Sequence, residues 1–431
     1  MDTHQRGTDD YDTRRTGFQL HNPHRPDLVI TAHTTRDIHD AVDHAITHRT
    51  PIAVQTSGHG HNQPLTTGIL LDTSRLTDVH IDTAARTAHI AAGATWQHVI
   101  DAAAPHGLAP RSGSSPGVGA ISYTLGGGIG LLARPHGYAA DHVPAIDITT
   151  LDGHHRHATP TTETDLYWAL RGGGTNYGIV TAITVDLVPL RTIHGGGLYF
   201  DTTRHPDILH TWHHWTTDLP DTITTATSTL AYPGLPAIPQ PLRGKHITQI
   251  QISSTTPADD LVAPLRAIGP VRDTLHELPY TESATVFDEP NQPHAYRSTN
   301  ILVDDLDPTG ITALAELTRP GAPVLTVANI RHLGAALTRP PAIPNAVAHR
   351  DARYTITVLS VIDDDNETKI RHLHHDALDP WTPHTLGAAP NFTYGPLDPA
   401  LAYPEATRTR LTDIAHHHDP HRLLRPNHPL D

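Results

Sequence analysis

One imidazole stands at the end of a strand in this sequence. Pro51-Ile52-Ala53-Val54-Gln55 reads as a buried strand, and Thr56-Ser57-Gly58-His59-Gly60-His61 follows it as a loop. A strand running into a glycine-flanked loop offers backbone N–H groups to an anion such as a pyrophosphate. It also presents His59 at the strand's end. A second stretch, Arg111 to Val143, has glycine at 113, 117, 119, 126, 127, 128, 130 and 137, and no charged residue between Arg111 and Arg134. Glycine at that density means backbone brought close to something. The interleaved Val118, Ile121, Leu125, Ile129, Leu131 and Leu132 make the stretch too apolar for a flexible linker. It reads as a ligand-cradling loop running into a short helix; the alternative is a tight packing segment between two sheets. A third stretch, Leu170-Arg171-Gly172-Gly173-Gly174-Thr175-Asn176-Tyr177-Gly178-Ile179, is another glycine-rich turn leading into a strand. Three such loops, each tied to a strand, point to one large cofactor wrapped by backbone.

The elements that must position these loops can be read from periodicity. Leu28–Ile30 reads as a strand, and Thr35 opens an amphipathic helix with Ile38, Val42 and Ile46 on one face. With Pro51–Gln55 this makes a βαβ unit and implies a parallel pair. Gly68–Asp72, Val79–Asp82, Thr87–Ala91, Val143–Leu151, His155–Thr159 and Ile179–Leu190 read as further strands. Trp96–Ala104 and Thr164–Leu170 read as helices. From Thr192 the character changes. Leu198–Phe200, Ile223–Leu230, His246–Ser253, Asn300–Val303 and Tyr354–Val361 read as strands, with helices over Arg204–Leu219, Pro257–Gly269, Gly310–Thr318 and Asp365–Leu378. The expected class is α+β. It has a first domain of mixed sheets and helices over residues 21–191 and a second domain, an antiparallel sheet backed by helices, over 192–395. Residues 396–431, with a helix from Pro404 to His417, should return to the first domain. Residues 1–20 are polar and read as a disordered tail.

The order and spacing of these loops resemble the FAD-linked oxidases of the vanillyl-alcohol-oxidase / p-cresol-methylhydroxylase superfamily, in the berberine-bridge-enzyme-like branch. There the loops read R-S-G-G-H, G-x-C-P-x-V-G-x-G-G-H/Y-x-L-G-G-G-x-G and L-R-G-G-G-x-x-F/Y-G-I/V-V. Here they read QTSGH, GSSPGVGAISYTLGGGIG and LRGGGTNYGIV. Arg410-Leu411, Asp419-Pro420 and Arg425-Pro426-Asn427 resemble the family's closing segment. The resemblance covers about residues 25–190 and 388–429. It implies a two-part FAD-binding domain and a substrate domain. It also implies FAD bonded covalently through His59, the last residue of the first motif. The family's second tether is a cysteine; Ser115 occupies that position, so attachment should be single. Cofactor-binding positions implied are Gln55, Thr56, Ser57, Gly58, His59, Gly60, Gly113, Ser114, Ser115, Val118, Gly119, Ser122, Tyr123, Gly126, Gly178, Ile179, Asn391, Phe392 and Asn427. Tyr123 stands where relatives carry a His or Tyr facing the flavin, so it is one catalytic candidate, the alternative being an aromatic that only packs on the glycine loop. The family's catalytic tyrosine would fall at Ala389, and Tyr394 is the nearby substitute.

Composition narrows the alternatives. The 431 residues suffice for two domains with substantial cores. There is no cysteine, so no disulfide, thiol nucleophile or Cys-based metal site. Formal charge is −15, with two lysines, Lys245 and Lys369, against 28 arginines. That balance argues against nucleic acid as partner. No apolar run approaches the roughly 18 residues of a membrane span, and no leader pattern appears, so the expected setting is cytoplasmic and off the membrane. The 37 histidines are spread through the chain and make its charge pH-sensitive, with a solubility minimum near the pI of about 6.2. Pairs such as His213-His214 and the run His416-His417-His418 do not share a helix face, and no H-E-x-x-H spacing occurs, so no metal is expected.

The expected function is an FAD-dependent oxidoreductase, an oxidase with O2 as acceptor, acting on an alcohol or amine carbon of a small natural product or sugar-like molecule in secondary metabolism. The rivals are a flavin dehydrogenase with another acceptor, a flavin-containing small-molecule binding or resistance protein, and a His-rich metal-binding protein with no flavin. A monomer or homodimer is expected.

Overall fold

The computed structural model describes residues 1–363 and 366–431, and they form three sheets with helices between and around them. Four short strands make the first: β1 (Asp2–Gln5), β2 (Leu28–Thr31), β3 (Ile52–Gln55) and β4 (Ile69–Asp72), in the order β1-β2-β4-β3. β2 and β3 both run parallel to β4, and β1 pairs antiparallel to β2. The expected parallel pair of β2 and β3 is therefore split by β4. Its Ile69, Leu70 and Leu71 are almost wholly buried, so it belongs in the middle of the sheet. The helix Thr35–His48 packs Ile38, Ala41, Val42 and Ala45 into this core. Thr34 caps it: its hydroxyl accepts from the Asp37 N–H while the Asp37 carboxylate accepts from the Thr34 N–H.

The second sheet is antiparallel, β5 (Val79–Asp82), β6 (Thr87–Ala91), β7 (Ala145–Thr149), β8 (His155–Ala158) and β9 (Ile179–Asp186), ordered β5-β6-β9-β7-β8. Trp96 of the helix Trp96–Ala103 is fully buried beneath it. The third sheet has nine strands: β10 (Thr192–Asp201), β11 (Ile223–Ala231), β12 (His246–Ser254), β13 (Arg272–Asp273), β14 (His276–Pro279), β15 (Tyr296–Val303), β16 (Thr326–His332), β17 (Tyr354–Val361) and β18 (Thr385–Gly387). Its order is β13-β10-β12-β11-β16-β17-β15-β18, with β14 also on β10. Its core face is covered by helices that include Ile208–Thr216 and Pro308–Leu317, with Trp212 of the first and Trp381 of the turn Asp379–His384 buried in that core. The mixed sheets, the antiparallel sheet and its backing helices are those the sequence leads one to expect.

Two expectations need correction, and a third falls partly outside the described residues. The residues read as a disordered tail are built into the fold: β1 pairs with β2, Tyr11 is buried with its hydroxyl donating 2.6 Å to the Pro26 carbonyl, and Phe18 enters the site described below. β16, which reads as no element in the sequence, is a central strand. The helix expected from Asp365 is described from Glu367 to Leu378, and its expected start lies outside the described residues. The C-terminal segment returns to the first two sheets. Leu411 and Ile414 of the helix Glu405–His418 join the core under the second sheet, and Leu424 bridges Ile52 of β3.

Candidate functional site

A cavity of about 1110 Å³ gathers residues that are far apart in sequence. Its wall takes residues 55–61 from the end of β3, residues between Gly113 and Ile129 from the glycine-dense stretch, and residues 173–176 with Gly178 from the third loop. The face of the large sheet, residues 390–394 and the C-terminal residues 424–431 complete it. All three glycine-rich loops thus meet at one place. Among the described residues, no backbone N–H from Ser57 to His61 donates to another protein group, so these donors remain available to a ligand.

Most of the residues singled out in the sequence line this cavity: Gln55 through Gly60, Gly113, Ser114, Ser115, Val118, Ser122, Tyr123, Gly126, Gly178, Asn391, Phe392, Tyr394 and Asn427. Two do not. Gly119 ends the loop as the N-cap of the helix Ala120–Leu125 and packs behind the wall, against Thr56. Ile179 begins β9 with its side chain fully buried among Ile38, Val42 and Leu71. Its alternation on the strand turns it to the core rather than to the cavity.

His59 is held from several sides. The Phe18 ring stacks on it at 3.9 Å and 10° between planes. Its Nδ1 lies 2.9 Å from Ser57 Oγ, and the Tyr296 hydroxyl donates 2.6 Å to its backbone carbonyl. Burial, with a smaller push from His294, lowers its pKa to about 4. The ring is therefore neutral at pH 7, with a nitrogen lone pair free to act. Asn427 fixes the same loop from the C-terminus: its Oδ1 accepts from the Asn62 N–H at 2.7 Å and its Nδ2 donates to the Gly60 carbonyl. Asn427 thus meets the cavity while its amide is spent on the loop backbone.

The glycine-dense stretch is cramped because other side chains lie across it. Asn391 donates 2.8 Å to the Tyr123 carbonyl, and its side chain rests where a Cβ on Gly126 would be. The Tyr123 ring packs edge-on to Trp96 at 5.5 Å, and its hydroxyl lies against Gly130 without a hydrogen-bond partner. Burial raises its pKa. Tyr394 meets the cavity from the opposite side, edge-on to Tyr296 at 5.1 Å. Burial first, then the Glu289 carboxylate, lift its pKa to about 12, while Arg331 pulls the other way.

Arg331 is the residue the sequence did not flag. It projects from β16 and is flanked by the rings of Phe287 at 4.4 Å and Phe392 at 5.0 Å. Its Nη2 sits 3.3 Å from Ser114 Oγ and 3.7 Å from the Glu289 carboxylate, which itself accepts from Ser114 at 2.8 Å. Its Nε has no protein partner. The one signal for it in the sequence is the alternation Val327-Ala328-Asn329-Ile330-Arg331. The turn residues Pro320, Gly321 and Pro323 precede that alternation closely enough to hide the strand. Among the described residues no cluster of three His, Asp or Glu side chains is placed to hold a metal ion.

Comparison with known proteins agrees with this geometry. Residues 26–159 match the family model described as an FAD binding domain. The chain is 33% identical over 168 residues to (R)-6-hydroxynicotine oxidase of Paenarthrobacter nicotinovorans, covering 38% of this chain and 37% of that protein. The matched stretches span about two thirds or less of the first curated relatives' own length. Among solved structures, 6-hydroxy-D-nicotine oxidase from Arthrobacter nicotinovorans superposes with a TM-score of 0.85 at 20% identity, over 100% of this chain and 97% of that one. The BBE-like 1 protein of Physcomitrella patens does so with a TM-score of 0.84 at 19% identity, with the same coverage. Residues 26–159 are thus an FAD-binding domain, and the chain as a whole shares the fold of 6-hydroxy-D-nicotine oxidase and the BBE-like 1 protein.

Proposed function

We propose that the protein is an FAD-dependent oxidase that removes hydride from an alcohol or amine carbon of a small molecule. The observation that carries this reading is the convergence of three glycine-rich loops and the C-terminal segment on one cavity with His59 in its wall. The wall fits FAD. It offers unpaired N–H groups from Ser57 to His61 for a pyrophosphate, and apolar Val118, Ile121 and Leu125 for a ring system. When bound, the flavin supplies a two-electron acceptor for the substrate and a donor for O2.

The residues of this chain do the rest. Residues 55–61, 113–126 and Gly178, with Asn391 and Phe392, hold the cofactor, and Asn427 holds the loop that carries His59. His59 is the single covalent tether. Its low pKa keeps a lone pair available at neutral pH, and Phe18 and Ser57 fix the ring's plane. Ser115 provides no second bond, because a hydroxyl is a far weaker nucleophile than a thiolate. Tyr394 takes the substrate's hydroxyl or amine proton once its own phenol proton has gone to solvent; burial and Glu289 oppose that ionisation, and the buried cation of Arg331 favours it. Tyr123 is packed into the glycine loop with its hydroxyl on Gly130, which suits a group that shapes the wall more than one that moves a proton.

The test is the acceptor balance. Turnover of a primary alcohol or amine under air should release one hydrogen peroxide per substrate oxidised, as measured with an oxygen electrode and a peroxidase-coupled dye. Oxidation that proceeds with an artificial dye acceptor but consumes no O2 would make the protein a flavin dehydrogenase instead.

A further inference from the structure

The large sheet turns one face to the cavity, and that face is sorted by row. Ser228, Asn329 and Thr357 stand side by side on β11, β16 and β17, since Ser228 pairs with Asn329 and Asn329 with Thr357. All three meet the cavity, with Arg331 beside them on β16. Their bonding capacity is not exhausted. Thr357 Oγ1 and Arg331 Nε have no protein partner although both are buried. Asn329 spends its amide N–H on the Thr227 carbonyl and Ser228 Oγ, so its carbonyl oxygen remains for a ligand.

One step along each strand toward the rim the chemistry changes. Val327 pairs with Leu359, and Leu230 occupies the same face of β11. A further step out come Leu325 and Val361, whose backbones are joined by a 3.1 Å hydrogen bond. These two are 43% and 37% exposed, and both line the cavity mouth. Exposed large aliphatic side chains are few in this chain, and two of them being neighbours on one face marks an interaction surface. No hydrogen-bonding side chain interrupts these five positions. The polar row is the one nearest the glycine loops, because Arg331 contacts Ser114 there.

Resting on the oxidoreductase reading above, we infer that the substrate is amphipathic. Its alcohol or amine end meets the row of Ser228, Asn329, Thr357 and Arg331. Its hydrocarbon or aromatic body lies along Leu230, Val327 and Leu359 and leaves past Leu325 and Val361. An oligosaccharide fits this wall poorly, because its hydroxyls would lose water against five aliphatic side chains and gain no partner. Glu289 beside Arg331 offsets the guanidinium's charge, so the wall does not call for an anionic substrate.

The test is equilibrium binding to the flavin-loaded protein, kept free of oxygen and read from the shift of the flavin absorption band. 4-Butylbenzyl alcohol and 4-butylbenzylamine are the apolar probes, and cellobiose is the polar one. At least one apolar probe should bind about tenfold tighter than cellobiose or better, and Leu359→Asn should weaken that binding about fivefold or more with the flavin band intact. Leu325→Asn at the exposed rim serves as the second variant, expected to weaken it in the same direction. Cellobiose binding as tightly as the better apolar probe, no binding of either apolar probe, or unchanged affinity in both variants would overturn the inference alone. A protein that takes up no flavin would overturn the oxidoreductase reading and this inference with it.

Discussion

His59 is a histidine whose surroundings remove its charge and fix its plane. Burial lowers its pKa to about 4, Phe18 stacks on it, and Ser57 holds Nδ1. The sequence exposed His59 because it ends a strand and sits between glycines, features that act locally. It could not expose Phe18 or Tyr296, which reach His59 only through the fold. The same limit explains Arg331. Tyr394 was legible only as a tyrosine close to Ala389, and its environment comes from Glu289, Arg331 and Tyr296, on three different segments. If Tyr394 is the proton acceptor, Tyr394→Phe should lower kcat by about 10²-fold or more with a small change in KM. Steady-state kinetics with any accepted substrate measures this, and an unchanged kcat would move the role to another group.

At the scale of elements, strands with strong alternation and helices with a marked apolar face were readable. The strands β5, β6 and β17 have the bounds the pattern implies, and the helix Thr35–His48 starts where it implies. What failed was placement that depends on long-range pairing. β4 inserts between β2 and β3, and β1 is recruited by backbone pairing to β2 rather than by its own composition. β16 lies where turn residues crowd the sequence, yet it carries Asn329 and Arg331 into the cavity. The loop before β9 makes a sharper demand. Gly178 has φ of +146° and lies so close to β7 that a Cβ would overlap the Thr149 carbonyl oxygen. Gly178→Ala should therefore cost on the order of 2–3 kcal/mol or more, from both backbone strain and displaced β7. Urea unfolding followed by fluorescence would check it, and a loss below about 0.5 kcal/mol would contradict the packing described here.

At the scale of the whole molecule, the abundant histidines divide into a surface population and a buried one. Burial is the leading cause that lowers His24 and His332 to about 3, and His59, His136, His374 and His428 to about 4. In the unfolded chain each would titrate near 6.5. Between about pH 6.5 and 4 the unfolded state thus binds more protons, so stability present above pH 6.5 is lost as the pH falls through that window. Even at about 1 kcal/mol each, discounted for partial solvation, the sum approaches the stability of a typical domain. The urea midpoint should be clearly lower at pH 5 than at pH 7.5; equal midpoints would mean that these rings take up protons without opening the fold. No helix among the described residues is long and apolar enough to cross a membrane.

The most direct test of the flavin and its tether is the visible spectrum of the purified protein before and after acid precipitation, for the wild type and for His59→Ala. Yellow colour that stays with the wild-type pellet and moves to the supernatant in the variant is the predicted result. Colour released from the wild type would leave FAD in the cavity but remove the covalent bond to His59. A colourless protein that cannot be loaded with FAD would contradict the account at its centre.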